Sequence, residues 1–174
     1  KIRDSHIYWL IQKLRNSELY ITGEVLIDGY PRSGNSYAAF IGSQIGMENF
    51  IHHTHSPYIL RKAVKANKTA IILIRTPLDC ISSYILRNGV SVERSVIEYC
   101  NFYETALRYR DKIHLWRFDE MIRGRCPIVM SPSGQIEKEI MIRASARLAL
   151  NEEKNSHSPI TAALPSVEKD KAKQ

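Results

Sequence analysis

An apolar run, Val25-Leu26-Ile27, passes directly into Asp28-Gly29-Tyr30-Pro31-Arg32-Ser33-Gly34-Asn35-Ser36-Tyr37, and Ala38, Phe40, Ile41 and Ile45 then continue at helical spacing to Gly46. A buried strand that turns through two glycines into a helix leaves few folds open. The glycines let the backbone turn tightly, and the helix N-terminus presents its N–H groups to whatever lies in front of it. The frame is G-x-x-x-x-G-x-S, that of a phosphate-binding loop. A nucleotide triphosphatase needs a lysine where this chain has Asn35, because that lysine reaches the outer phosphates while Ser or Thr holds magnesium. With Asn35 there and a cation inside the loop at Arg32, the backbone cradle survives and the γ-phosphate grip is lost. A nucleotide with a single anionic group at this end fits better. Asn35 or Ser36 is expected to cap the helix.

The rest of the chain alternates in the same way. Ile7, Leu10, Ile11 and Leu14 mark an amphipathic helix over His6 to Leu14. Phe50 to Pro57 reads as a short extended piece stopped by proline, with a helix from about Tyr58 to Val64. Ala70 to Ile74 is a second buried strand, ending at Arg75, and Pro77 sits in the first turn of a helix to about Leu86. Asn88-Gly89 breaks that helix, Ser91 caps another from Val92 to about Tyr109, and Lys112 to Trp116 is a third strand. Beyond it the pattern gives a strand over Cys126 to Met130, a turn at Pro132-Ser133-Gly134, a helix over Gln135 to Leu150 and a polar loop and tail over Asn151 to Gln174. Strands alternating with helices predict an α/β fold, a parallel β-sheet flanked by helices. A chain of 174 residues suits one domain over 1–174.

Composition narrows the partners. With 44% hydrophobic and 25% charged residues, the chain reads as a globular protein. No apolar run approaches the roughly 18 residues of a spanning helix. A formal net charge of +7 favours anionic ligands, although part of it lies in the tail Lys169-Asp170-Lys171-Ala172-Lys173. The basic segments lack interleaved aromatics, so nucleic acid is not indicated. Cys80, Cys100 and Cys126 have no C-x-x-C spacing, which argues against a zinc site or a disulfide framework. Cys80 and Cys100 are expected as small core residues. A reducing, cytoplasmic setting is the default expectation, which a trimmed upstream anchor or signal would overturn, since the chain begins at Lys1.

Ligands of an open parallel sheet bind past the carboxyl ends of its strands. Three features fall there: the loop Gly29 to Ser36, Arg75, and Phe118-Asp119-Glu120. Arg75 offers a fork of donors matched to a phosphate. Ser82 and Ser83 add hydroxyls on the following helix, or else bond that helix's own carbonyls. His52, His53 and His55 cluster within four residues. In an extended segment His53 and His55 share a face, yet no acidic or Cys partner is adjacent in sequence, so no metal is expected. A general base, with a pKa near neutrality, is the better reading.

Taken in order, these residues resemble the sulfotransferases that use 3′-phosphoadenosine 5′-phosphosulfate. Tyr30-Pro31-Arg32-Ser33-Gly34-Asn35-Ser36 is similar to that family's Tyr-Pro-Lys-Ser-Gly-Thr-Thr. Arg75-Thr76-Pro77-Leu78-Asp79, with Ser83 eight residues after the Arg, is similar to its Arg-x-Pro-x-Asp signature. His53-Thr54-His55-Ser56-Pro57 resembles Lys-Thr-His-x-Pro, and Phe118-Asp119-Glu120-Met121 resembles Tyr-Glu-Asp-Leu/Met. The likeness spans about Val25 to Met121.

The resemblance implies a P-loop NTPase-like sulfotransferase fold and transfer of a sulfuryl group to a hydroxyl or amine. It implies that Arg32, Ser33, Gly34, Asn35, Ser36 and Tyr37 hold the 5′-phosphosulfate end of the donor. Arg75 and Ser83 bind the 3′-phosphate, His55 is the catalytic base, and Arg32 stabilises the leaving oxygen in place of the family's lysine. The product is 3′-phosphoadenosine 5′-phosphate and no metal is required. The acceptor, a small molecule, carbohydrate or lipid, is not named by these motifs. Arg32 acts by charge and hydrogen bonding, since it gives up no proton. His53 for Lys removes a fixed charge, Phe118 for Tyr removes a hydroxyl, and no C-terminal Arg-Lys-Gly segment is recognisable. The chain is short for the family, which implies an acceptor pocket that is open or completed in a homo-oligomer. The alternatives are a small P-loop kinase and a catalytically inactive nucleotide-binding module of the same fold.

Overall fold

Alternation along the strands sorts the core into two layers. Leu26, Ala70 and Ile72 face one side of the sheet, and Ile27, Ile71, Leu73 and Trp116 face the other; all seven are buried. The computed structural model describes residues 23–127 together with Ile140 and Ala146. The expected helix over His6 to Leu14, the turn at Pro132-Ser133-Gly134 and the tail lie outside the described residues, as does nearly all of the expected strand from Cys126 and the helix from Gln135.

The element order is β1 (Val25–Gly29), α1 (Asn35–Gln44), β2 (Phe50–His52), α2 (Pro57–Lys65), β3 (Thr69–Ile74), α3 (Pro77–Asn88), α4 (Val92–Arg108), a 3-10 turn (Arg110–Lys112), β4 (His114–Arg117) and α5 (Phe118–Ile122). The strands form one parallel sheet in the order β2-β1-β3-β4. Leu26 pairs with Ile51 on one side and Ala70 on the other, and Ile72 pairs with Leu115. One layer packs Ile59, Leu60, Ala63 and Val64 of α2 and Phe102 and Ala106 of α4 against the sheet. The other packs Tyr37, Ala38 and Ile41 of α1 and Met121 of α5. Burial on both faces explains why β3 reads as the unbroken apolar run Ala70-Ile71-Ile72-Leu73-Ile74. Each fully buried Leu or Ile contributes about 1.5–3 kcal/mol.

The α/β class and the flanking helices match the expectation from sequence. Ser91 accepts a hydrogen bond from Arg94 N at 3.3 Å and caps α4, and Gly89 ends α3 with φ 62°. Three local readings need correction. The segment at Phe50 is a strand, β2, paired in parallel with β1 rather than merely extended. The N-cap of α1 is Gly34, with φ 96°, and not Asn35 or Ser36. Cys100 is exposed rather than in the core, because α4 turns Ser95, Phe102, Thr105 and Ala106 inward. Among the described residues, no helix is long and apolar enough to cross a membrane.

The topology places a crevice. From β1 the chain crosses through α1 to β2 on one side, then through α2 to β3 on the other, so the winding reverses between β1 and β3. The loops leaving these two strands diverge there, and a ligand can enter between them. At the same point β1 and β3 come very close: a Cβ on Gly29 would stand 2.7 Å from Leu73 O and 2.9 Å from Leu73 Cβ.

Candidate functional site

The loop after β1 is closed by its own backbone and by Asn35. Tyr30 O accepts from Ser33 N and from Asn35 Nδ2, both at 3.1 Å. That inward bond is why Asn35 does not cap α1. Its Oδ1 is buried with no hydrogen-bond partner among the described residues. Arg32 takes the left-handed conformation at φ 72°. A Cβ on Gly34 would meet Met121 Cε at 2.6 Å and Phe118 Cδ2 at 2.9 Å, so α5 seats directly under the loop. Among the described residues no side chain caps the start of α1, which leaves the positive end of the helix facing the crevice.

The expected donor-contacting residues divide by where their side chains go. Ser36 Oγ stands 3.0 Å from His53 Nε2 at the helix start. The Ser33 hydroxyl is buried, 3.1 Å from Tyr103 Oη and 3.4 Å from Cys80 Sγ. Tyr37 packs its ring into the core beside Ile27 and Ile41. That leaves only backbone groups of Ser33 and Tyr37 for the expected cradle.

The two arginines and Ser83 are brought together. Arg32 Nε donates to Ser83 Oγ at 2.9 Å, and Arg75 Nη1 donates to Arg32 O at 3.3 Å. The Arg75 guanidinium lies 4.3 Å from the centre of the Phe118 ring, a cation–π contact that Tyr would also make. Arg75 Nε is buried without a hydrogen-bond partner among the described residues, and Asp79 Oδ2 is 3.9 Å away. Ser82 donates to Leu78 O at 2.6 Å and so belongs to its own helix.

Tyrosines of α4 hold both loops, a role that sequence reasoning missed. Tyr103 Oη donates to Leu73 O at 2.8 Å, so the Ser33 hydroxyl donates to Tyr103 in turn. Tyr99 Oη donates to Arg75 O at 3.2 Å, and Tyr30 Oη donates back to Ser95 O of α4 at 3.0 Å. Spacing of four residues puts Tyr99 and Tyr103 on one helix face, and that was the available signal.

His55 is oriented by Asp28, also unassigned from sequence. The Asp28 carboxylate accepts from Gly29 N at 3.0 Å, from His55 N at 2.9 Å and from the Thr54 hydroxyl. His55 Nδ1 donates to Gly29 O at 2.7 Å, with Asp28 Oδ1 at 3.5 Å. A carbonyl can only accept, so Nδ1 carries the proton and the lone pair lies on Nε2. A carboxylate beside Nδ1 holds the ring in that tautomer and stabilises the imidazolium formed when Nε2 takes a proton. An ionisable residue closing an apolar strand, as Asp28 does, was the sequence signal.

Burial pushes the Asp28 carboxyl up from 3.8 to about 6, although the bonds from Thr54, Gly29 and His55 pull it back. It is therefore ionised at neutral pH. Burial, with His52 and His55 as neighbours, lowers His53 to about 4, so His53 is neutral where the resembled family has a charge. His52 Nδ1 and His53 Nδ1 stand 2.5 Å apart and must share one proton.

The raised carboxyl sets a pH dependence of stability. Because the folded value lies above the unfolded one, the Asp28 contribution is complete below about pH 3.8 and is lost as pH rises through about 6. The loss is about 3 kcal/mol, at 1.36 kcal/mol per unit. Urea unfolding of the natural chain and Asp28→Asn from pH 4 to 7.5 checks it. The natural chain should lose about that much relative to the variant; a constant difference would place the Asp28 carboxyl at its ordinary value.

Among the described residues, no group of three or more His, Cys, Asp or Glu is placed to hold a metal ion. Comparison of the chain with models of known protein families, with curated proteins and with solved structures finds no match in any of the three.

Proposed function

We propose that the chain is a sulfotransferase of P-loop-like fold, moving a sulfuryl group from 3′-phosphoadenosine 5′-phosphosulfate to a hydroxyl or amine of a small-molecule, carbohydrate or lipid acceptor. The observation that carries this reading is the bond from His55 Nδ1 to Gly29 O, which fixes a base of defined tautomer on the first residue of the anion loop. His55 Nε2 takes the acceptor proton as the acceptor atom bonds to sulfur. The bond between sulfur and the bridging oxygen breaks, and that oxygen leaves with the 5′-phosphate. Its growing charge is met by the start of α1 and by Arg32. Arg75 and Ser83 suit the 3′-phosphate, with the Ser83 hydroxyl free to donate outward because it accepts from Arg32.

The kinase alternative is weakened by Asn35. Its amide is bonded to Tyr30 O and supplies no cation for a γ-phosphate. Calorimetry on the folded chain decides the main point. Binding of 3′-phosphoadenosine 5′-phosphate is expected without magnesium and unchanged by a chelator, and Arg75→Ala should weaken it about 10–100-fold through loss of a charged hydrogen bond. No binding by the folded protein would remove the proposal. Magnesium-dependent ATP turnover would favour the kinase.

A further inference from the structure

The rings of His52, His53 and His55 follow one another beside the anion loop, with centroids 4.8 Å and 5.9 Å apart, and the proposed reaction uses only the last. His53 reaches the start of α1, where its Nε2 lies 3.0 Å from Oγ of Ser36, the second residue of that helix. The α1 ladder begins only where Ala38 N donates to Gly34 O at 2.9 Å, so the N–H groups ahead of it meet no carbonyl of their own helix. An anion seated on them lies within reach of His53 Nε2. At the other edge of the ring, His53 Nδ1 is 2.5 Å from His52 Nδ1. That contact suits one added proton: an imidazolium at His53 donates from Nδ1 to the lone pair of His52 and keeps Nε2–H for a ligand oxygen.

We infer that His53 is a further catalytic residue, charged only when the donor is bound. As the anionic end of the nucleotide seats at the start of α1, His53 takes one proton from solvent and bonds the anion through Nε2–H, giving the leaving oxygen a second cation beside Arg32. The proton returns to solvent when the product leaves. The inference rests on the nucleotide reading above. In the empty loop the charge is opposed. Burial, with His52 and His55 as neighbours, holds His53 at about 4, and the positive end of α1 acts in the same direction. The titratable groups facing the pair are His55 of the same segment and, from β1, Asp28, whose carboxylate acts on His52. From α1 come the Ser36 hydroxyl and no acidic residue in the first turn. A dianion in the loop reverses that field and raises the His53 value. Affinity therefore increases as pH falls from the bound value toward about 4.

Calorimetry of 3′-phosphoadenosine 5′-phosphate at about pH 5.5, in two buffers of different ionisation heat, counts the protons taken up. The nucleotide's own phosphates gain protons in this range, so His53→Asn serves as the reference. Asn tolerates the left-handed φ of 55° at this position. The natural chain should take up about one proton more than the variant, and its advantage in affinity should grow about tenfold between pH 7.5 and 5.5. Sulfuryl transfer by His53→Asn should fall at least about tenfold, through loss of one charged hydrogen bond. His55→Asn should keep the extra proton. If His53→Asn does not fold, histidine-ring NMR of the natural chain reads the same event, with the His53 ring becoming imidazolium as nucleotide is added. Binding with equal proton uptake in the natural chain and His53→Asn overturns the inference and leaves the nucleotide reading standing. So does transfer at the natural rate by His53→Asn, a His53 ring that stays neutral, or an extra proton lost with His55→Asn. No binding by the folded chain removes the inference and the nucleotide reading together.

Discussion

On the proposed function, His55→Ala is expected to lower sulfuryl transfer about 10²–10⁴-fold, the span of a lost general base, with affinity for 3′-phosphoadenosine 5′-phosphate unchanged. The split follows from geometry. In the proposed reaction the imidazole would act through Nε2, whereas the nucleotide would be held by the start of α1, Arg32 and Arg75. His55 also occupies a left-handed backbone position, φ 50°, where Ala is strained. Asn tolerates that conformation, so His55→Asn separates loss of the base from loss of backbone fit. Both variants should fail in transfer and both should bind. Transfer at the natural rate by either one would take the base away from His55. Loss of nucleotide binding as well would make His55 a support of the loop.

The largest effect on stability is expected at Gly29. Gly29→Ala should cost about 2–3 kcal/mol, because the new Cβ overlaps Leu73 O and Leu73 Cβ and neither can swing aside. Those atoms belong to Leu73, the last residue but one of β3, which is bonded to Gly29 of β1 on one side and Trp116 of β4 on the other. Gly46 makes the comparison sharp. At φ 79° with nothing within 4 Å of a new Cβ, Gly46→Ala should cost only the backbone term, about 1 kcal/mol. Urea midpoints for the two variants check the difference, and equal midpoints would mean that β1 and β3 are not so close.

The elements legible in sequence were those whose signals are local. Buried apolar runs gave β1 and β3, Pro77 and Gly89 bounded α3, and Ser91 opened α4. What escaped depends on contacts between distant residues. Asn35 is a good cap by type, yet Tyr30 O draws its amide into the loop. Phe50 to His52 is too short to announce a strand without β1 beside it. In the site, sequence named the loop, both arginines, Ser83 and His55. It could not say that Ser33 and Tyr37 turn inward, because the direction of a side chain in a loop or first helical turn is set by what packs there, here Tyr103, Cys80 and Ile41. Asp28 and the tyrosines of α4 carried only a local signal, a carboxylate in an apolar strand and a spacing of four, because the partners that give them their roles lie 24 to 70 positions away.

Arg32, His53 and His55 account for three of the five non-glycine residues with positive φ among those described. Each holds a conformation that an L side chain adopts at a cost of about 1–2 kcal/mol and that glycine adopts freely. Heat resistance and chemistry therefore pull in opposite directions at these positions. Glycine or asparagine at all three would make a sturdier molecule and would remove at once the loop cation and the base proposed at His55.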